Sequence, residues 1–355
     1  MRPTVRGVLS ASVATLLGAT LLVATAGAPV AAASAEPPWR PDSRVDSRGV
    51  VLEVENTNAT SVPCFPDNQS YELRGRMIGS PRDLDGLGGA IRVNVLVHDI
   101  GTGAWFWNLR GRPSYDYATG LARRGETVLV LDRLGYGASP LARGTATCLG
   151  AQADMLHQVV QHLTSGRWDY ADPQDGSAFS AAHVVTHGHG VGAAIAQLEA
   201  AEFDDVAGLV LMSWTDAGAT ALAARHAARQ GRACLSTDFA PFAATRSDFR
   251  HLLFRTAPAA VQRAAAQRKS DDPCGDVASL AGLAVGSGFG ASRVDAPVLL
   301  LYGAQDRLIR PGARARQADA YPTRTTMKVF RGTGSALPLE RSASKVRAAV
   351  LRWLD

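Results

Sequence analysis

One segment near the middle of the chain constrains its fold more than any other, because three closely spaced glycines separate an apolar run from a helical pattern. The residues at 184–187 are Val-Val-Thr-His, and the residues from 193 onward are rich in alanine. Glycine stands at 188, 190 and 192 between them. Since glycine adopts positive φ without steric cost, this spacing predicts a strand, a sharp turn centred on Gly190 and a helix.

Similar apolar runs alternate with helical patterns along most of the chain. Strands are predicted at Val50–Glu55, Tyr71–Ile78, Ile91–His98, Thr127–Asp132, Ala182–His187, Val206–Met212 and Pro297–Tyr302. Helices are predicted at about 114–124, 147–164, 190–202, 311–319 and 340–354. The first two strands alternate polar and apolar residues, and most of the later ones are rich in Val, Ile and Leu, as in a buried parallel sheet. The alternation predicts a doubly wound α/β fold.

Residues 216–292 interrupt this alternation between the sixth and seventh predicted strands. They are rich in alanine and arginine, with helical patterns near 217–230 and 257–268 and a glycine-rich stretch near 282–291. Ligand sites of α/β proteins form outside the carboxyl ends of the strands. The insertion is therefore predicted to be a helical cap over that edge of the sheet.

The N-terminus has the pattern of a secretory signal peptide. Arg2 and Arg6 precede an apolar run from Val8 to Val30, and Ala33-Ser34-Ala35 fits a cleavage site. An uncleaved membrane anchor is the alternative, and the small-residue site favours cleavage. The expected product is secreted or extracytoplasmic, with no stable membrane anchor. The predicted organisation is a signal peptide at 1–35, a flexible lead-in at 36–49, a core at 50–215 and 293–355, and a cap at 216–292.

The four cysteines predict two disulfides, because an even number in an exported protein is typical of structural cross-links. Cys234 and Cys274 lie in the same predicted cap and are therefore paired with each other. Cys64 and Cys148 then pair by elimination. No C-x-x-C spacing occurs, so neither a zinc site nor a thioredoxin-like motif is expected.

The charge of the chain excludes one class of partner. The formal net charge is +5, and it falls to +3 when the signal peptide with its two arginines is removed. The basic residues are scattered, and no basic and aromatic stripe is present. Nucleic acid is therefore not an expected partner, and no cofactor is expected either.

Four segments together resemble the α/β-hydrolase superfamily, most closely its secreted bacterial esterase- and lipase-like members. They are Leu96–Gly101 after the third strand, Asp132–Ser139 after the fourth, the glycine turn at 188–192, and Leu300–Asp306 after the seventh. The resemblance covers nearly all of the chain after the signal peptide. It implies a mostly parallel eight-stranded sheet with helices on both faces and a helical cap inserted after strand 6.

The resemblance also implies three catalytic positions, of which two carry the wrong residue. A serine hydrolase needs a nucleophile, an acid and a histidine, in that chain order. The nucleophile position is Gly190 and the acid position is Asp306. The histidine position is Ser335, and the last histidine of the chain is His251. The triad is thus degraded, unless one of the two cap histidines, His226 or His251, serves as the base.

The region of the oxyanion hole leaves one question open. By resemblance, the backbone N–H groups of Ile100 and Val191 are the oxyanion donors. The family usually has His-Gly after the third strand, and this chain has His98 followed by Asp99. An inward carboxylate at Asp99 would oppose a developing negative charge, whereas an outward one would be harmless.

Several further residues are candidates for the pocket. His187 and His189 flank the turn, Asp216 follows the sixth strand, and Trp105 begins an aromatic cluster that either walls a pocket or packs the loop. The two histidines and Asp216 form the residue set of a 2-His-1-carboxylate metal site, but a buried, hydrogen-bonded His187 is the preferred interpretation, so no metal is expected.

These positions support two principal hypotheses. In the first, the protein lacks serine-hydrolase activity and binds a small apolar or ester-like molecule under the cap. In the second, it is an active hydrolase, lyase or isomerase without a covalent serine intermediate. That enzyme would use Asp306 or Asp216 with His189 or His187. A structural or interaction protein without a ligand is a third class.

Overall fold

A large mixed sheet flanked by helices forms the part of the chain that this computed structural model describes, residues 44–355. The strands are β1 (Asp46–Glu55), β2 (Ser70–Gly79), β3 (Arg92–Val97), β4 (Thr127–Leu131), β5 (Asp169–Tyr170), β6 (His183–His189), β7 (Gly208–Met212), β8 (Phe239–Pro241), β9 (Asp271–Pro273), β10 (Val298–Gly303) and β11 (Thr325–Phe330). The helices are α1 (Pro81–Leu84), α2 (Tyr117–Ala122), α3 (Leu149–Ser165), α4 (Val191–Phe203), α5 (Ala221–Ala233), α6 (Arg246–Leu253), α7 (Ala259–Gln267), α8 (Cys274–Gly290), α9 (Ala313–Asp319) and α10 (Ala343–Leu354). None of the helices within residues 44–355 has the length and apolar character needed to cross a membrane.

The strand order explains where a site can form. The nine-stranded sheet runs β11-β10-β7-β6-β3-β4-β2-β1-β5. Its strands are parallel from β11 to β4, and β2, β1 and β5 add an antiparallel edge. The central strands β4, β7 and β10 are buried along their whole length. The loops after β3, β6, β7 and β10 therefore meet at the carboxyl edge of the sheet.

The predicted α/β-hydrolase architecture is confirmed, with one additional strand. The sheet has nine strands rather than eight, because the two residues of β5 pair with Val50 and Val51 at the edge of β1. Two residues carry no sequence periodicity, so a strand of this length is formed by its tertiary partner rather than by a local pattern.

The N-terminal predictions fall partly outside the described residues. The predicted signal peptide at 1–35 and residues 36–43 of the predicted lead-in lie outside the described residues. The predicted lead-in at 36–49 is wrong for its last residues, since β1 begins at Asp46. The polar start of β1 lacks apolar alternation, yet each of its residues pairs with β2, beginning with Asp46 opposite Gly79.

The segment between β7 and β10 contains four helices and the small antiparallel pair β8–β9. The helical patterns near 217–230 and 257–268 correspond to α5 and α7. The glycine-rich stretch predicted at 282–291 is instead helical, as the second half of α8. A Cβ at Gly290 would lie 3.0 Å from the Cβ of Ala201 on α4. The glycines of α8 thus let it pack closely on α4, which outweighs their weak helix propensity.

Both predicted disulfides are present, Cys64–Cys148 and Cys234–Cys274. The second joins the end of α5 to the first residue of α8. A buried ion pair adds a further tie, as Arg133 Nη1 lies 2.9 Å from Asp276 Oδ2. Removing one partner of such a pair leaves an uncompensated buried charge. The helices over the carboxyl edge are therefore firmly attached to the loop after β4.

We expect Gly192→Ala to destabilise the fold by about 1–3 kcal/mol through overpacking. A Cβ at Gly192 would overlap the carbonyl oxygen of Val97 and lie 2.6 Å from that of His98. Gly231→Ala is the matched control, because nothing lies within 4 Å of its added Cβ. It is expected to stabilise α5 by up to about 1 kcal/mol. Urea unfolding measures both variants, and similar effects would contradict the close approach of β3 and α4.

Candidate functional site

The turn between β6 and α4 has the geometry that the glycine spacing predicts. Gly190 adopts φ 54° and ψ −124°, a conformation that strains any residue with a side chain. A Cβ at Gly188 would overlap the backbone of Ala193. The strand and the helix thus approach each other so closely that only glycine fits, and position 190 projects from the carboxyl edge of the sheet.

Asp99 points inward at this turn. Its Oδ1 accepts a hydrogen bond from Ile100 N at 2.9 Å and another from Val191 N at 2.7 Å. These are the two N–H groups that the resemblance assigns to the oxyanion hole. They converge on one oxygen atom, as an oxyanion hole requires, and that oxygen belongs to the protein itself.

The carboxyl group of Asp99 also takes the space beside position 190. A Cβ built on Gly190 would overlap both carboxyl oxygens and the carboxyl carbon of Asp99. A serine at 190 and an inward Asp99 are therefore mutually exclusive. The absence of a side chain at 190 is what allows Asp99 to lie where it does.

Burial changes the ionisation of Asp99. It raises the pKa of the carboxyl group to about 7, although the hydrogen bonds from Val191 and Ile100 oppose the shift. The group is 4 % exposed and lines a cavity. A carboxyl group with such a pKa exchanges its proton near neutral pH, which an ordinary aspartate does not.

His189 lies next to Asp99 but is held by other groups. Its Nε2 is 2.9 Å from the carbonyl oxygen of Ser335, to which it donates, and its Nδ1 is 3.6 Å from Asp99 Oδ2. The ring packs against Phe106 with 4.4 Å between the ring centroids. Burial lowers the pKa of His189 to about 4. The imidazole is therefore neutral, with its proton committed to Ser335.

The acid and histidine positions lie close to this imidazole. Asp306 is buried after β10, and its Oδ1 accepts from Leu308 N at 2.8 Å. Burial raises the pKa of Asp306, and its charge acts on His189. The carbonyl oxygen of Ser335 also accepts from the hydroxyl group of Ser213 at 2.9 Å. The fold thus brings the sequence-predicted positions together around His189.

Three predicted pocket residues, His98, His187 and His189, are buried and do not line the cavity. His98 Nδ1 donates to the carbonyl oxygen of Asp99 at 2.8 Å, and its Nε2 accepts from the backbone N–H of Arg133 at 3.1 Å. His187 lies between Tyr117 Oη and Asn94 Oδ1, each 3.0 Å from a ring nitrogen. These hydrogen bonds use both nitrogens of each ring, so His187 cannot join His189 and Asp216 in a metal site.

Asp216 lines the cavity without a free oxygen, and Trp105 lies outside the cavity wall. Asp216 lines the cavity, but its carboxylate accepts four hydrogen bonds. The donors are Trp214 Nε1 at 2.8 Å, Ser287 Oγ at 2.9 Å, Gln197 Nε2 at 3.0 Å and Gln317 Nε2 at 2.7 Å. Trp105 is half-buried and is not part of the cavity wall. Its neighbour Phe106 packs on His189, which favours the interpretation that the aromatic cluster packs the loop.

The cavity itself has a volume of about 440 Å³. Its floor contains Asp99, Gly190 and Ser213, and its walls come mainly from one face each of α5 and α8. The wall residues on these helices include Ala223, Ala224, Ala227, Ala228, Ala278, Ala281 and Ala284. The sequence analysis missed this wall. Alanines spaced three and four residues apart on α5 are the signal that indicates one small, apolar helix face.

The sequence profile of the Alpha/beta hydrolase family matches residues 95–349, and the chain belongs to this family. No curated protein sequence matches the chain significantly. The chain is similar in structure to a thermophilic esterase from Thermogutta terrifontis, with 19% identity, a TM-score of 0.59, and coverage of 85% of this chain and 98% of that one. It is also similar to a monoacylglycerol lipase from Paleococcus ferrophilus, with 21% identity, a TM-score of 0.56, and coverage of 74% and 93%.

We expect Asp99→Asn to stabilise the protein more at pH 8 than at pH 4. The folded-state pKa of Asp99 is raised above the unfolded value, so wild-type stability falls as pH rises through this interval. Asparagine keeps the Oδ1 acceptor and does not titrate. The stability difference between variant and wild type should grow by more than about 1.4 kcal/mol, the equivalent of one pKa unit. Urea unfolding at both pH values measures it, and a constant difference would refute the raised pKa.

Proposed function

We propose that this protein is a non-catalytic member of the esterase and lipase lineage that binds a small apolar or ester-like molecule in the cavity above Asp99. The observation that carries the proposal is the position of the Asp99 carboxyl group between Ile100 N, Val191 N and Gly190. The two disulfides are compatible with an extracytoplasmic protein, and secretion is part of the proposal.

Three features argue against serine-type ester hydrolysis. Position 190 has no nucleophile, and His189 has committed its Nε2 proton to Ser335. The two N–H groups that would stabilise a tetrahedral oxyanion already bind a carboxylate oxygen. Loss of a single oxyanion donor typically costs about 10²–10³ in kcat, and here both are engaged. The site therefore lacks a nucleophile, a free base and an open oxyanion hole.

The cavity walls argue for an apolar ligand with one polar group. Alanine, leucine and isoleucine side chains dominate the walls. The polar groups of the lining include the Asp99 carboxyl group on the floor and the Thr215 hydroxyl group, which has no hydrogen-bond partner within residues 44–355. When Asp99 is protonated, it can donate a hydrogen bond to a carbonyl or ether oxygen of the ligand. Binding of such a ligand should therefore weaken as the pH rises through about 7.

A second candidate function is favoured by the same carboxyl group. A buried group in a cleft with a strongly shifted pKa is typical of general acid–base catalysis. In this alternative, Asp99 moves a proton to or from a substrate, and no covalent serine intermediate forms. Asp99 is a better candidate for this role than Asp216 or Asp306. The oxygens of Asp216 are saturated by hydrogen bonds, and Asp306 is not part of the cavity wall.

Restoring the catalytic residues tests whether the site is a disarmed serine hydrolase. We expect Gly190→Ser with Ser335→His to remain inactive on p-nitrophenyl acetate, because Asp99 overlaps the new side chain. Adding Asp99→Gly should raise turnover by about 10²-fold over the double variant by freeing both N–H donors.

Circular dichroism serves as the control that both variants are folded. Equal turnover of the double and triple variants would show that Asp99 does not block the site. Wild-type turnover that is lost in Asp99→Asn would replace the binding proposal with the acid–base alternative.

Ligand binding is tested by thermal unfolding with methyl decanoate and decanoic acid. A ligand that binds only the folded state at about 100 times its Kd adds about 2.7 kcal/mol of stability. Ala227 lines the cavity, so the larger side chain in Ala227→Phe should fill the ligand space and abolish the shift in melting temperature. Ala221→Phe, on the same helix but outside the cavity wall, should retain it. A shift that survives in Ala227→Phe would place the ligand elsewhere.

A further inference from the structure

A second group of ionisable side chains lies at the end of α4 that is distant from the glycine turn. It consists of His157 on α3, Glu199 on α4 and Asp205 just after α4. One potential ligand atom from each residue lies within 4.8 Å of the other two. Glu199 follows Val191 by eight residues, which corresponds to about 12 Å along the helix. The group is therefore separate from the cavity and from the proposed function.

Glu199 is the unusual member of this group. Its side chain is fully buried, and among the described residues neither carboxyl oxygen has a hydrogen-bond partner. Asp205 Oδ1 is likewise buried without a partner in residues 44–355. An ionised carboxylate without a partner is costly to bury. These three oxygens therefore require either a proton shared between the two carboxyl groups or a cation.

His157 is held in position beside these oxygens. Its Nδ1 lies 2.7 Å from Asp205 Oδ2, and its ring stacks on Phe203 at 3.8 Å with an interplanar angle of 9°. The side-chain amide of Gln161 lies 2.8 Å from Nε2. Since the oxygen and nitrogen of an amide are interchangeable in assignment, Gln161 can accept from Nε2–H. With the amide in that orientation the ring proton lies on Nε2, and Nδ1 would bind a metal in place of its present hydrogen bond to Asp205 Oδ2.

We propose that His157, Glu199 and Asp205 bind a divalent cation, and that the cation is Zn²⁺. One imidazole nitrogen and two carboxylates suit zinc, whereas calcium and magnesium prefer oxygen ligands throughout. Ligand atoms around a tetrahedral zinc are about 3.4 Å apart, so His157 Nδ1 and Asp205 Oδ2, which are 2.7 Å apart, would separate slightly on binding. The side chains of His157 and Asp205 are 17% and 25% exposed, which provides a route for the ion and a position for water as fourth ligand.

The bound ion would join two helices. His157 belongs to α3, whereas Glu199 and Asp205 belong to the end of α4 and the chain that leads to β7. Zinc would therefore link two helices that pack on each other, and it would neutralise the buried carboxylates. Because the ion binds only the folded arrangement, it should raise the melting temperature.

The competing state contains no metal. Burial and the neighbouring Asp205 raise the pKa of Glu199 well above its usual value, so the carboxyl group can instead keep a proton and share it with Asp205. In this state the protein would show no preference for zinc at the group. The two states make opposite predictions for a single isosteric substitution.

The test is isothermal titration of Zn²⁺ into the EDTA-treated, untagged protein with both disulfides intact. We expect one ion per chain, and Glu199→Gln should weaken the affinity by at least about 10-fold. Glu202→Gln is the matched control on the same helix. Glu202 pairs with Arg293 at 2.8 Å at the surface, so its removal should leave zinc affinity unchanged.

Absorbance of Co²⁺ as a substitute for Zn²⁺ provides an independent readout of four-coordinate binding at this group. Wild-type protein that does not bind zinc, or equal affinity in wild type and Glu199→Gln, would overturn the proposal and favour the protonated pair. If Glu199→Gln does not fold, the half-buried His157→Asn applies the same test. Esterase activity and decanoate binding play no part in it, so its outcome is distinct from that of the proposed function.

Discussion

Two backbone N–H groups at the carboxyl edge of the sheet require an acceptor, and the chain supplies its own. Ile100 follows β3 and Val191 begins α4, so the fold fixes both groups whatever the side chains nearby. Asp99 satisfies them with a single oxygen. It can do so only because Gly190 has no side chain. The shifted pKa of Asp99 and the polar floor of the apolar cavity both depend on this placement of a carboxyl group beside a glycine.

The groups around His189 form a hydrogen-bonded and packed region next to Asp99. The imidazole of His189 lies near Asp306, but it donates to the carbonyl oxygen of Ser335 and packs on Phe106. It is present as a structural group and is not a free base. Ser213, which adopts a positive φ of 53°, donates to the same carbonyl oxygen. Two donors thus hold the segment that would carry the histidine of a triad, and the region is ordered without a proton relay.

The sequence predicts most of the fold because its signals are local. Alternating or apolar runs identify the seven strands β1, β2, β3, β4, β6, β7 and β10. Glycine spacing identifies the turn at 190, and the position of the cysteines identifies both disulfides. The strand β5 and the helical half of α8 are missed, because pairing with β1 and packing on α4 decide them. The inward direction of Asp99 is also unpredictable from sequence, since it depends on space left by a residue that is distant along the chain.

The group around Glu199 shows the same limit more strongly. His157, Glu199 and Asp205 have no spacing that any motif describes, and α3 and α4 bring them together only in the folded chain. The catalytic positions Asp306 and Ser335 are found by comparison with a family pattern. A cluster without a family pattern can be found only when burial and missing hydrogen-bond partners are visible.

The pairing of Asp99 with Gly190 has a consequence for the history open to this sequence. A serine introduced at 190 meets the Asp99 carboxyl group, and a glycine introduced at 99 leaves the N–H groups of Ile100 and Val191 without their acceptor. Each of these single substitutions toward the residues usual in the family thus lowers stability. The two positions therefore constrain each other, and selection acts on them more easily as a pair than one at a time.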